Sequence, residues 1–229
     1  MPDKTILISG ASGNLGEAVV AHFINRGNKV IGLVHHQSES PNPSPNYKEV
    51  EVNLLDETAT EKSIEQLLEI YTQIDTAVLT AGGFAMGNLE KTTSEDIEHQ
   101  FQLNFNTAFN LARPLLDHME KRGEGKLFFI GSQPGLDITK GKSVFSYALS
   151  KSLLFRMAEM VNADKKYQGI MAHVIVPSTI DTPQNRKAVP DADFSKWEKP
   201  EEIAQIIADY ADQKNTDKSV IIVSEELGK

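Results

Sequence analysis

Tyr147 and Lys151, four residues apart in the run Tyr147-Ala148-Leu149-Ser150-Lys151, can do acid–base chemistry. The stretch from Ser143 to Asn162 reads as a helix, which stacks positions i and i+4 one turn apart on one face. An ammonium held beside a phenol favours the phenolate and lowers the phenol pKa from its usual value of about 10. Tyr147 would then donate a proton to a carbonyl or imine at ordinary pH. The same spacing also fits an exposed helical pair, so the chemistry depends on what the rest of the chain brings beside it.

A second signal lies near the N-terminus, where Ser9-Gly10-Ala11-Ser12-Gly13-Asn14-Leu15-Gly16 separates an apolar strand, Lys4–Ser9, from an amphipathic helix closed by Gly27. A glycine-rich turn opening a helix can hold a dinucleotide pyrophosphate, because the backbone approaches closely and the helix N-terminus offers unpaired N–H groups. A tight strand-to-helix turn that merely needs glycine is the other reading. The second strand, Lys29–Val34, ends at His35-His36, where dinucleotide folds meet the adenosine ribose through an acidic side chain. No Asp or Glu stands there. Two imidazoles tolerate or attract a 2′-phosphate, which favours NADP(H) slightly over NAD(H); a solvated strand end fits the same residues. A metal role is not expected, since adjacent strand histidines point to opposite faces and no cysteine or carboxylate cluster joins them.

The elements that must position these groups alternate along the chain. Further strands are expected at Tyr47–Val52, Thr76–Thr80, Lys126–Ile130, Met171–Val176 and Ser219–Val223. Between them lie helices at Thr60–Tyr71, from a Thr93/Asp96 capping box to about Met119, through Tyr147, and at Pro200–Ala211. Asn104 falls inside the apolar stretch of the second of these, where a buried amide needs partners. A proline- and serine-rich loop spans Glu39–Asn46, and an irregular stretch runs from Pro177 to about Lys199, a length typical of lids and binding segments. Alternation of this kind means a doubly wound, Rossmann-like α/β fold: seven parallel strands with helices on both faces. Ligands then lie beyond the carboxyl ends of the strands, which is where Gly10–Gly16, His35, Asn53, Gly82, Ser132 and Pro177 all fall.

Composition narrows the function. The 229 residues suit one domain, 1–229, with a substrate lid at about 178–199. A net charge of −9 argues against nucleic acid or an anionic membrane as the main partner. The absence of cysteine excludes disulfides and thiolate metal sites. The first apolar run breaks at Ser9-Gly10, so no signal peptide is read, and no stretch approaches a membrane span; a cytoplasmic protein is expected.

Taken in order, Gly10…Gly16, Asn53-Leu54, Thr80-Ala81-Gly82, Asn104, Ser132, Tyr147-x-x-x-Lys151 and Pro177…Thr182 resemble the short-chain dehydrogenase/reductase family across essentially the whole chain. The resemblance implies hydride transfer between a nicotinamide cofactor and a small-molecule carbonyl or alcohol. Tyr147 would be the general acid/base, Ser132 would orient the substrate oxygen, Lys151 would tune Tyr147 and hold the ribose, and Asn104 would keep a relay water. Cofactor contacts are implied for Gly10, Ser12, Gly13, Asn14, Leu15, Gly16, His35, His36, Asn53, Leu54, Ala81, Gly82, Gly83, Pro177, Thr179, Ile180 and Thr182. Substrate walls are expected from Phe84, Met86, Asp137, Gln184 and Asn185, with Trp197 packing the lid onto the body. Homodimers or homotetramers built through the Asn104 and Tyr147 helices are implied as well.

Asp181–Lys187, Pro190–Trp197 and Ala81-Gly82-Gly83-Phe84 look like the corresponding parts of dihydropteridine reductases, so a pterin reductase is an alternative. Asn14 stands where the common family pattern has glycine. That departure leaves open a third reading, a dinucleotide-binding sensor without catalysis.

Overall fold

The computed structural model describes residues 4–39, 42–213 and 216–228; Ser40 and Pro41 of the expected loop lie outside them. Seven strands form one parallel sheet in the order β3-β2-β1-β4-β5-β6-β7. They are β1 (Thr5–Ser9), β2 (Lys29–Val34), β3 (Tyr47–Glu51), β4 (Thr76–Leu79), β5 (Gly125–Ile130), β6 (Ile170–Val176) and β7 (Val220–Ile222). The order reverses between β1 and β4, so the crevice at their carboxyl ends is the switch point of the sheet.

Both faces of the sheet are covered, and β1 is buried at every position, as expected of parallel strands. Alternation sends Leu7, Ile31 and Leu33 into one core, beneath helices α2 (Glu57–Tyr71), α4 (Thr107–Arg122) and α6 (Phe145–Ala163). Ile6, Ile8 and Val30 enter the other, beneath α1 (Asn14–Asn25) and α8 (Pro200–Asp212). α2 starts at Glu57, earlier than its periodicity suggests, because the Asp56 carboxylate accepts the Ala59 N–H at 2.9 Å.

Three departures from the sequence reading bear on the site. The single helix expected from Thr93 to Met119 is interrupted: α3 (Ser94–Phe101) passes through a π-helical turn, Gln102–Asn106, before α4 begins. The loop before α6 holds a short helix, α5 (Gln133–Leu136), and a 3₁₀ turn, Ile138–Gly141. The stretch after β6 is also structured, containing α7 (Pro183–Ala188) and a 3₁₀ turn, Phe194–Lys196. No helix among the described residues is long and apolar enough to cross a membrane.

Candidate active site

Ser132, Tyr147 and Lys151 come together at the carboxyl end of β5. The start of α6 is fixed from outside, since Gly87 N–H donates to Ser143 O at 2.8 Å and Phe145 N–H to Gly87 O at 2.7 Å. The Lys151 ammonium is buried and donates to the Ile130 carbonyl at 2.8 Å, tying the helix to the last residue of β5. Gly135 makes the approach possible, because a Cβ there would stand 2.8 Å from the Lys151 Cβ. Ser132 caps α5, its hydroxyl accepting the Gly135 N–H at 3.1 Å, and its influence on the Tyr147 phenol is to lower that group's pKa.

The electrostatics differ from the sequence expectation. Burial pushes the Tyr147 phenol above its ordinary value, and the Ser132 hydroxyl only partly opposes this. Lys151 does not offset it: its nitrogen lies 5.9 Å from the Tyr147 ring centroid and is directed at Ile130. Burial in turn pulls the Lys151 ammonium down to about 8. Two poorly solvated groups each shift toward their neutral forms. The free protein therefore presents a protonated phenol.

Asn104 sits in the π-helical turn, almost wholly buried. Its amide grips both backbone groups of Gly83: Oδ1 accepts Gly83 N–H at 3.0 Å and Nδ2 donates to Gly83 O at 3.0 Å. Nδ2 also approaches Gln100 Oε1 and the Ser150 hydroxyl, each at 3.1 Å. Asn104 thus fixes the Ala81-Gly82-Gly83 turn against α6. A π-turn, frequent at functional sites, brings this amide into the turn's reach.

A dinucleotide fits the crevice beside these residues. Gly10 takes φ +62°, and a Cβ on it would stand 3.0 Å from Ala81 N; one on Gly16 would stand 2.1 Å from Gly10 O. Gly13 precedes α1 and, having no side chain, leaves the first helical N–H groups without a side-chain cap of its own. A 350 Å³ cleft is lined by Gly10, His35, Asn53, Leu54, Ala81 and Gly82, six of the expected cofactor residues. Leu33, Val34, Val52, Leu103 and Thr107 line it too; the first three were read only as strand core, and the last two reach it through the π-turn. Ser12, Asn14 and Leu15 lie on the turn and first residues of α1, and Thr179 is exposed beyond β6, with Ile180 partly buried and Pro177 buried.

Several of the expected site residues have local partners. His35 and His36 do not point to opposite faces: β2 ends at Val34, and their nitrogens meet at 2.8 Å. Alternation fails because the pair lies in a bend past the last ladder position. Thr182 caps α7, accepting Asn185 N–H at 3.2 Å, and Asn185 donates to Ile180 O at 2.8 Å. Gln184 accepts from Asn14 Nδ2 at 2.9 Å. Asp137 caps the Ile138–Gly141 turn through Thr139. Of the expected substrate walls, Phe84 stands nearest the chemistry, edge-on to Tyr147 with ring centroids 5.0 Å apart and 60% exposed. Met86, also exposed, lines a neighbouring cleft with Ser143 and Ser146. Trp197 packs on Phe194 within its own segment, at 4.8 Å between centroids.

A family model described as short chain dehydrogenase matches residues 4–193. The chain is 26% identical over 187 residues to the 3-oxoacyl-(acyl-carrier-protein) reductase FabG of Salmonella typhimurium, covering 80% of this chain and 76% of that protein. It is 24% identical over 243 residues to FabG of Thermotoga maritima, covering 98% and 95%. Among solved structures it resembles the ligand-free aldohexose dehydrogenase of Thermoplasma acidophilum, with TM-score 0.82, 21% identity and coverage of 99% and 95%. It also resembles ElxO with NADP bound, with TM-score 0.88, 18% identity and coverage of 99% of both chains.

Proposed function

The chain belongs to the short-chain dehydrogenase family and is an oxidoreductase of that family, and we propose that it exchanges hydride between NAD(P)(H) and a small-molecule carbonyl or alcohol, with Tyr147 as the proton donor. The observation that carries this reading is the gathering of Ser132, Tyr147 and the buried Lys151 ammonium at the carboxyl end of β5, with the Lys151 nitrogen 5.9 Å from the Tyr147 ring centroid. The nicotinamide, when bound, supplies or accepts the hydride. Ser132 and Tyr147 hold the substrate oxygen between two hydroxyls. Tyr147 releases its proton as negative charge develops there, and Lys151, still a cation at neutral pH, would hold the nicotinamide ribose. Preorganised donors of this kind are worth a few kcal/mol each. A phenol that is protonated at rest suits the reductive direction.

NADP(H) is slightly preferred. His35 lines the cleft and its ring meets that of His36, and the similar ElxO structure carries NADP. The Glu51 carboxylate, 3.9 Å from His36 Nδ1, opposes a phosphate there and keeps the preference small. Residues 178–199 act as a substrate lid on a single domain. A homodimer or homotetramer forms through α4 and α6, where Phe109 and Met160 are exposed along a 390 Å³ apolar groove.

Tyr147→Phe should lower turnover by about 10²–10³-fold while leaving NADPH affinity close to wild type, measured by fluorescence titration. Near-normal turnover would refute the assignment. A pterin reductase is the second reading, favoured by the exposed Phe84 ring, which offers a flat heterocycle a face beside Tyr147. Faster turnover of quinonoid dihydropterin than of a panel of ketones and aldehydes would select it. Cofactor binding with no turnover on either would leave the sensor.

A further inference from the structure

Residues 181–197 leave the body of the protein and return to it at one seam. Ile180 and Glu198 pair in a parallel bridge, Glu198 N–H donates to Thr179 O at 3.0 Å, and Asp181 N–H donates to Glu198 O at 2.8 Å. Within the excursion the contacts are local. Arg186 holds Asp181 through Nε and a terminal nitrogen at 2.5 and 2.7 Å. Its guanidinium carbon lies 4.8 Å from the Phe194 ring centroid, and Phe194 packs on Trp197. The excursion is therefore braced by its own side chains.

Among the described residues, one hydrogen bond joins this excursion to the body beyond the seam: Asn14 Nδ2 donating to Gln184 Oε1 at 2.9 Å. Neither side chain serves the local structure of its own helix. α1 begins after Gly13 without a side-chain cap, and α7 is capped by Thr182. Asn14 also occupies the position where the common family pattern has glycine, a residue that could not make the bond. The contact thus links the turn read as the pyrophosphate holder to the segment read as the lid.

We propose that Asn14 is a positioning residue: through Gln184 it latches residues 181–197 to the glycine turn, so that a dinucleotide held on that turn leaves only after the latch opens. The proposal rests on the dinucleotide reading of Gly10–Gly16, but the latch can be observed without it. Trp197 is the one tryptophan in the chain and belongs to the latched segment, so its fluorescence reports on the segment directly.

The experiment compares the wild type with Asn14→Ala, Gln184→Ala and the double variant. In the cofactor-free proteins, acrylamide quenching of Trp197 should rise about twofold in each single variant and no further in the double. NADPH release, followed by stopped-flow fluorescence, should quicken by about two- to tenfold, the range for one exposed neutral hydrogen bond, again without addition in the double. Unchanged thermal unfolding midpoints would show that the fold is intact. Quenching equal to wild type in both single variants, or effects that sum in the double, would overturn the latch. If the wild type bound neither NADPH nor NADH, the dinucleotide reading would fall together with the release step, while the quenching series would still decide whether Asn14 holds the segment.

Discussion

A methyl group on Gly82 would stand 2.6 Å from Asn104 Oδ1 and 3.3 Å from Lys151 Nζ. The backbone at Gly82 is thus in van der Waals contact with a buried amide whose hydrogen bonds hold Gly83. Gly82→Ala should displace Asn104, cost about 1–3 kcal/mol of stability and lower turnover by about tenfold or more. Urea unfolding and steady-state kinetics check both parts. An alanine variant with wild-type turnover would mean that the Asn104 clamp has no bearing on the site.

On the proposed reading, Lys151 would set an alkaline limit on reduction. Its folded-state pKa is pulled down to about 8 by burial, so the cation is present below that pH and lost above it. Tyr147 is pushed the other way and stays protonated through the same window. Reductive kcat should be level from about pH 6 to about 7.5 and fall above about 8. A pH–rate profile flat to about pH 9.5 would place the ammonium outside the reaction.

On the proposed reading, cofactor choice would rest on the bend after β2. His36→Asp places a carboxylate where the adenosine ribose is expected, which accepts from a 2′-hydroxyl and repels a 2′-phosphate. The ratio of NADH to NADPH affinity should rise by about tenfold or more, read by titrating each cofactor. An unchanged ratio would show that the imidazole pair does not meet the ribose.

His173 makes stability sensitive to acid. Its ring is fully buried, stacked on Phe128, and its Nδ1–H donates to Lys218 O at 2.8 Å, while Nε2 has no hydrogen-bond partner among the described residues. Burial holds its pKa down to about 4, against about 6.5 in an unfolded chain. Between those values the unfolded state binds a proton that the folded state refuses, so stability falls as pH drops through the window. The loss from pH 7 to pH 4.5 should be about 2–3 kcal/mol, and His173→Gln should remove that part of the slope in denaturant titrations. An unaltered slope would assign acid sensitivity elsewhere.

Most strands were legible because each is a short apolar run ended by glycine or a polar turn, and all seven expected spans lie within one residue of those observed at each end. The last of them stops at Ile222 because the chain turns helical at Val223. Tyr147, Lys151, Ser132 and the glycine turn could be read because strand ends and helical spacing fix their places. What escaped was decided by tertiary contacts. The π-turn at Gln102–Asn106 leaves no periodic trace over five residues, and its partner Gly83 lies in a separate loop. The phenol shift at Tyr147 depends on burial and on where the Lys151 ammonium finds a carbonyl, neither of which follows from a four-residue spacing. Gln184 and Asn185 bond Asn14 and Ile180, partners that their place in the sequence does not foretell.

Because all seven strands run the same way, the sheet has a reactive rim and a silent one. Glu124 precedes β5 and Ser132 follows it, so the two are separated by the length of a strand, roughly 20 Å at about 3.3 Å per residue. The chain carries no thiol. A single cysteine substituted for the exposed Glu124 would give a unique attachment point for a dye or a solid support, on the far side of the protein from its chemistry.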